Sequence, residues 1–431
     1  MTVEKLDVEK LIADAEQCVR CGLCLSVCPT YRDYQTEIQS PRGRVLLYAD
    51  YAQGLVDDPL RVLQAAYDCL ECRACQTICP NGVRPGEAAV DAKVTLQGGR
   101  PQNLAVKMAL ALFHHPTLID LANLLLVAYQ RSGLQWLIRK TRLLERIGLG
   151  KLQFAESLLP GRRIKPAMRL FYPRQVEPPA GEPKGTVAFF LGCVMNLIFS
   201  ESSTAAVEVI RRSGWRVIIP RETTCCGAPH IEEGDWYGFE KLAKKNLDYY
   251  GRLEVDYILT DCAACGAELK GYVKHFAGDP VYGPLAERVA AKMLMFSEFV
   301  DREGLPGSAR FPFATTHQHA CHACHAQGVK EQPERVLSFA TDYHPLEGST
   351  DCCGSAGVYN LTHTEESMRI LERKMASVAR TGAEVLTVEN PGCLLQLDLG
   401  SRRYGPPVAV RHIAEVVLEA MERAENEGPP R

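Results

Sequence analysis

Cys18, Cys21, Cys24 and Cys28, with Pro29 behind them, recur as Cys69, Cys72, Cys75 and Cys79, with Pro80 behind them. Both runs read C-x2-C-x2-C-x3-C-P. Three thiolates at two-residue gaps wrap a loop around three corners of an iron–sulfur cube, and the fourth points away to ligate a neighbouring cube. The spacing therefore assigns Cys18, Cys21, Cys24 and Cys79 to one [4Fe–4S] cluster and Cys69, Cys72, Cys75 and Cys28 to a second. Structural zinc also uses C-x2-C pairs, but it takes four ligands and has no use for the doubled ending. Backbone amides in such tight loops can donate hydrogen bonds to sulfur and tune the potential.

The other ten of the eighteen cysteines lie between Cys193 and Cys393, and they repeat. Cys193 stands 32 positions before the pair Cys225–Cys226, and Cys321 stands 31 before Cys352–Cys353. Each pair is followed by a glycine, Gly227 and Gly354. Cys265 follows Cys226 by 39 positions and Cys393 follows Cys353 by 40, so these two correspond, and Asn390 stands where the first copy has Cys262. The first copy thus offers Cys193, Cys225, Cys226, Cys262 and Cys265, one thiol more than a cubane needs. That points to a metal site, either an unusual cluster with shared cysteines or a cubane with a spare thiol. The second offers Cys321, Cys352, Cys353 and Cys393, with Cys324 as an extra thiol near its start. Metal binding there competes with a structural relic or a thiol redox centre. His317, His319, His322 and His325 crowd the same stretch (HQHACHACH), which zinc could also use.

These residues need elements to gather them. Residues 1–100 hold the first eight cysteines and residues 101–185 hold none. Leu104, Met108, Leu112 and the stretch 118–126 recur at helical spacing, so the connector is expected to be helical. It is also basic: residues 101–175 carry twelve Lys or Arg against three Asp or Glu. A solvated helical face explains that charge, and so does a docking surface for an acidic partner or an anionic membrane. A Pro/Gly-rich linker over 171–185 ends the connector. Beyond it, short apolar runs at 187–191, 216–219, 255–260 and 383–388 alternate with helical patterns, which implies parallel α/β units. Cys193, Cys262 and Cys393 each follow such a strand, where ligand sites of parallel sheets form.

The net charge of −3 speaks against a general nucleic-acid binder. Residues 1–12 do not read as a secretory leader, and clustered cysteines fit a reducing compartment. A cytoplasmic location is expected, with the inner face of the cell membrane as a peripheral alternative. No G-x-G-x-x-G after a strand and no P-loop appears, so no flavin is expected on this chain. Clusters move single electrons and organic substrates give up two, so a flavin on another chain is the expected entry point.

The stretches CVRCGLCLSVCPTYRDYQTEIQSPRGRVLL, CLECRACQTICPNGV, LGCVMN, TTCCGAPH, CHACHAQGVKEQP, CCGSAGVYNLTH and NPGCLLQL, in this order, resemble the iron–sulfur subunit of glycolate oxidase. The back half resembles the CCG cysteine-rich domain shared with heterodisulfide reductase and lactate-utilisation proteins. The resemblance implies an α+β multidomain chain. A helical ferredoxin-like domain (1–100) would hold two [4Fe–4S] clusters. A basic helical connector and linker (101–185) would lead to two α/β CCG domains (186–305 and 306–431). It implies a further cluster, noncubane in heterodisulfide reductase, on Cys193, Cys225, Cys226, Cys262 and Cys265. It also implies FAD-containing partner subunits that oxidise glycolate or D-lactate, a quinone or other acceptor, and no catalytic residue on this chain. The alternatives are a catalytic disulfide reductase of the heterodisulfide class and the iron–sulfur subunit of anaerobic glycerol-3-phosphate dehydrogenase.

Overall fold

The computed structural model describes residues 8–101, 103–305 and 310–427. The amino-terminal part is helical. Helices Val8–Gln17, Pro41–Ala52, Pro59–Tyr67 and Pro85–Leu96 close on a small core of Leu11, Val45, Tyr48, Val62, Ala66 and Ala89. The last three begin with proline at their first position, where its missing N–H costs nothing. Ser40 and Asp58 cap two of them by accepting from Gly43 N (2.9 Å) and Arg61 N (3.0 Å). Gly43 has no substitute, because a Cβ there would meet the Glu37 carbonyl oxygen at 1.9 Å.

The back half holds two small sheets. The first contains β1 (Gln175–Val176), β2 (Thr186–Phe189), β3 (Arg216–Ile218), β4 (Tyr257–Thr260) and β5 (Met293–Met295) in the order β1-β3-β2-β4-β5. The second contains β6 (Ala314–His317), β7 (Asp342–Tyr343), β8 (Val385–Val388) and β9 (Ala409–His412) in the order β7-β6-β8-β9. Apart from the antiparallel edge β1, every pairing is parallel. The orders β3-β2-β4-β5 and β7-β6-β8-β9 are one topology built twice, as the cysteine repeat requires. In each, the chain leaves the first strand toward one side and returns on the other. A crevice therefore opens between β2 and β4, and between β6 and β8, at the carboxyl ends of the strands. The family of short apolar runs read from the sequence corresponds to β2, β3, β4 and β8. The boundary expected at 305/306 falls against residues 306–309, which lie outside the described residues, as do residues 1–7.

The two copies are tied together through corresponding segments. Asp261, just before Cys262, has its carbonyl bonded by His412 Nε2 of the second copy (2.8 Å). Its counterpart Glu389, just before Asn390, has its carboxylate bonded by Ser297 N (3.1 Å) and Ser297 Oγ (2.7 Å) of the first. Burial pushes both carboxyls up to about 7. The same segments therefore carry the cysteines and fasten the copies together.

Candidate iron–sulfur sites

Both front loops take the same backbone path. The residue before the second cysteine and the one after it sit at positive φ: Arg20 (57°) and Gly22 (85°), then Glu71 (51°) and Arg73 (62°). Left-handed residues on either side of a cysteine curl the chain tightly enough to aim consecutive thiols inward. Cys18, Cys21, Cys24 and Cys79 line one hollow, and Cys28, Cys69, Cys72 and Cys75 line another. These are the two sets that the spacing assigns, fourth ligands exchanged. Cys75 also touches the first hollow, so the two share a wall. Glu71 N donates to Cys69 Sγ at 3.4 Å.

A buried cation lies under the second hollow. Arg44 gives Nε to Ala65 O (3.0 Å), and its outer nitrogen to Thr30 Oγ1 (3.1 Å), Gln39 Oε1 (2.6 Å) and Asp68 O (3.0 Å). These four bonds pin the charge beside Cys28 and Cys69; burial pushes the Cys69 thiol up and the guanidinium works against it. The sequence reading assigned Arg44 no role. Its place on the buried stripe with Val45, Tyr48 and Ala49 was the available signal. Glu71 is missed likewise; it forms a buried ion pair with Lys93, whose Nζ also reaches Glu232 O (3.0 Å).

In the first CCG copy, Cys193 opens the helix after β2 and Cys262 stands at the start of the helix after β4, with Cys265 in its first turn. Cys225 and Cys226 enter from the loop after β3. The five thiols form one connected series: Cys193 Sγ lies 3.5 Å from Cys225 Sγ, Cys225 contacts Cys226, Cys226 contacts Cys265 and Cys265 contacts Cys262. All five are buried. Hydrogen bonds from Cys225 and Cys265 draw Cys226 down to about 5, while those two are pushed up in return. Gly227 N and Ala228 N point at Cys225 and Cys226 Sγ (3.4 and 3.5 Å), and Cys265 N at Cys262 Sγ (3.4 Å).

The second copy repeats this with four. Cys321 contacts Cys352, Cys352 contacts Cys353, and Cys353 Sγ lies 3.4 Å from Cys393 Sγ. Gly354 N donates to Cys352 Sγ (3.4 Å), as Gly227 N does to Cys225. Cys321 follows β6, a strand that the sequence reading did not identify. Cys324 stays outside the series, its thiol turned to the Cys321 carbonyl at 3.8 Å. Asn390 takes the place of Cys262 and faces both copies. Its Nδ2 donates to Cys393 Sγ (3.6 Å), and its Oδ1 accepts from Ala264 N (3.3 Å) and lies 3.9 Å from Cys262 Sγ.

The histidines of HQHACHACH do not converge. His317 bonds Thr387 Oγ1 (2.9 Å), His319 bonds Glu334 (2.8 Å), His322 lies 3.7 Å from Glu232, and His325 bonds Thr77 Oγ1 (3.0 Å). Zinc on this stretch is therefore not supported: His317 and His319 meet edge to face with ring centres 4.9 Å apart, but each bonds a partner of its own, and His322 and His325 stand on and just after the next short helix with other partners again.

Ten cysteines line a single cavity of about 650 Å³ between the copies and the front domain: Cys69, Cys72, four of the first copy and all four of the second, with His322 on its wall. Burial and neighbouring thiols hold Cys72, Cys321, Cys352 and Cys353 protonated well above the ordinary thiol range. Ten closely packed thiols beside only a few buried cations, Lys93 and Lys374 among them, belong to a site whose remaining charge is to be balanced by metal. The donor set is all soft sulfur with amide N–H groups behind it, which fits iron–sulfur groups.

Comparison with known proteins finds relatives of each part. A 4Fe-4S dicluster domain matches residues 14–83, a linker region of glycolate oxidase iron-sulfur subunits matches 101–159, and a cysteine-rich (CCG) domain matches twice, at 187–270 and 315–398. A probable glycolate oxidase iron-sulfur subunit of Bacillus subtilis is 33% identical over 97% of this chain and 95% of its own. The glycolate oxidase iron-sulfur subunit of Escherichia coli is 28% identical over 94% of each. Lactate utilization protein A of Exiguobacterium is 30% identical over 55% of this chain and 99% of its own.

Proposed function

This chain belongs to the family of glycolate oxidase iron–sulfur subunits, and from that premise we propose that it carries electrons away from flavin-bearing partner subunits that oxidise glycolate or D-lactate, toward a quinone or another acceptor. It is an iron–sulfur electron-transfer subunit of an oxidoreductase complex, and the chemistry on the hydroxy acid is assigned to the partner. Bound iron–sulfur groups supply one-electron chemistry. The polypeptide's part is to hold them in series and keep water away.

The observation that carries this reading is continuity. The two front hollows share Cys75, Cys72 lies near Cys321 and Cys352 across the shared cavity, and Asn390 joins the second copy's thiols to those of the first. The front domain is fastened to the second copy around this junction. His363 bonds Asp68 (3.3 Å), Arg32 bonds Asp351 (3.2 Å), and Leu70 packs with Tyr359 and Ile370. Cys18, Cys21, Cys24 and Cys79 would hold one [4Fe–4S] cluster and Cys28, Cys69, Cys72 and Cys75 the other. The five thiols of the first copy would hold a third group, of the noncubane kind, and the four of the second copy a fourth. A cytoplasmic setting suits eighteen cysteines of which none is joined in a disulfide.

The test is co-expression with a candidate flavoprotein subunit and anaerobic purification. A stable complex whose visible iron–sulfur absorbance bleaches on adding glycolate or D-lactate is expected. A chain that co-purifies with no flavoprotein and keeps its absorbance in the presence of either acid would overturn the proposal.

A further inference from the structure

Of the 26 large hydrophobic side chains exposed among the described residues, 13 fall between Leu104 and Leu152, in the connector. Four of them, Leu118, Leu121, Leu124 and Leu125, belong to one helix that seals an amide and a carboxylate on its inner side. Pro116–Arg131 buries two polar side chains beside Ile119 and Val127: Asn123 is fully buried, donates to Lys165 O (3.0 Å) and Leu197 O (2.9 Å) and accepts from Ala167 N (2.7 Å). Asp120, on the same face, pairs with Arg169 (3.2 Å) and accepts from Asn196 (3.0 Å). The opposite face carries Leu118, Leu121 and Leu125 at i, i+3 and i+7, all exposed. A helix facing water does the reverse. Leucines aligned on the outer face while amide and carboxylate are sealed inside describe a helix whose outer surroundings are apolar.

Charge says what those surroundings are. Residues 101–175 hold twelve Lys or Arg and three carboxylates. Asp120 and Glu156 are buried, which leaves Glu145 as the one exposed carboxylate, and it is paired with Arg142 (2.6 Å). In the Leu134–Thr141 helix, Trp136 is 62% exposed with Lys140 4.6 Å from its ring centre, the pairing of an aromatic at the headgroup level with a cation. Among the described residues no single helix is long and apolar enough to cross a membrane, and the segments Val106–Leu112 and Pro116–Arg131 meet at 102°. Short bent helices with leucines on one side and cations around them lie in the plane of an interface.

We propose that the connector helices from Leu104 to Leu152 form a face that seats this protein on an anionic lipid bilayer, with Leu118, Leu121, Leu125 and Trp136 entering the acyl boundary and Lys140 and Arg146 at the headgroups. The proposal goes beyond electron transfer and does not depend on it. The occupant is a bilayer because exposed aliphatics ringed by Lys and Arg, almost without carboxylate, match anionic headgroups over acyl chains; a protein partner is the competing outcome.

The test uses the full chain with its iron–sulfur groups, oxidised and without any electron donor, so that failure of the functional reading leaves it untouched. Vesicles of phosphatidylcholine alone and with phosphatidylglycerol are sedimented with the protein. Binding to the anionic vesicles and little to the neutral ones is expected, with about thirtyfold weaker binding for Lys140→Ala/Arg146→Ala. Trp215 and Trp236 are buried, so quenching of Trp136 emission by brominated acyl chains reports insertion in the unaltered protein. Leu121→Ser/Leu125→Ser should abolish that quenching while visible absorbance is kept. Absence of binding to anionic vesicles, or binding without quenching of Trp136, overturns the proposal; so does a connector that is covered by the flavoprotein subunit in the assembled complex and binds no lipid.

Discussion

The two CCG copies share a topology, a glycine after each cysteine pair and a thiol series, yet they occupy different surroundings. The first copy's thiols are all buried, and Cys193 and Cys225 pack against Ile119 of the connector and Leu242. In the second, Cys321 and Cys352 are only partly covered by protein and look toward Cys72 of the front domain. Both open on the shared cavity, but the connector walls the first on its far side, whereas the second faces the front domain. The difference teaches that a repeat preserves the means of gathering thiols, while the neighbouring domain decides what each gathering faces.

The comparison breaks most sharply at the middle thiols. Cys226→Ser should remove the first copy's iron and leave the second's, and Cys353→Ser should do the reverse, each loss being about four irons per chain. Iron and acid-labile sulfide analysis reads both. An unchanged count in Cys353→Ser would mean that the second copy is a relic.

Proton competition comes next. Cys72, Cys321, Cys352 and Cys353 keep their protons well above the ordinary thiol range, and iron must displace them. Reconstitution of the second copy should therefore rise as pH rises from neutral toward about 9. In the first copy hydrogen bonds among the thiols hold Cys226 near 5 and push Cys225 and Cys265 well up, so it has one such proton fewer to lose and should respond slightly less steeply. Equal pH profiles for Cys226→Ser and Cys353→Ser proteins would erase this distinction.

The paired glycines sharpen it further. Gly227 and Gly354 both hold positive φ, 92° and 88°. A Cβ on Gly227 would meet the edge of the Phe239 ring at 2.7 Å, which can tilt, whereas one on Gly354 would meet the Ser367 carbonyl oxygen at 2.7 Å, which is backbone. Left-handed strain alone is about 1–2 kcal/mol. Gly354→Ala should thus lose more thermal stability than Gly227→Ala, as calorimetry of the two variants would show.

Asn390 gives the smallest effect. Asn390→Ala removes one N–H···S bond, about 1 kcal/mol. For a one-electron couple that lowers the second site's potential by about 40 mV, measurable by EPR-monitored titration. Asn390→Cys restores the first copy's pattern, and its EPR spectrum should move toward that of the first site. No shift in either variant would show that the bridge is a packing contact only.

Much of this was legible in the chain. The C-x2-C-x2-C-x3-C-P spacing carries its own geometry, because a loop of that length has few ways to wrap a cube; hence the place of Cys79 on the hollow of Cys18, Cys21 and Cys24, and of Cys28 on that of Cys69, Cys72 and Cys75, is readable without coordinates. The registers of Cys193 with Cys321 and of Cys265 with Cys393 were readable because a repeat keeps sequence distance. What failed to read were residues whose meaning depends on what packs against them. Arg44 looks like any surface arginine until Thr30, Gln39 and Asp68 close around it, and HQHACHACH looks like a zinc site until its side chains part.

Local spacing thus determined which thiols act together, since ligation within a loop is a short-range constraint. Only the tertiary structure decided that Asn390 spans two sites, that the second copy faces Cys72 and that the Pro116–Arg131 helix shows its leucines outward. Each of these depends on which element lies across a gap, and that is set by the burial of whole faces rather than by the order of neighbouring residues.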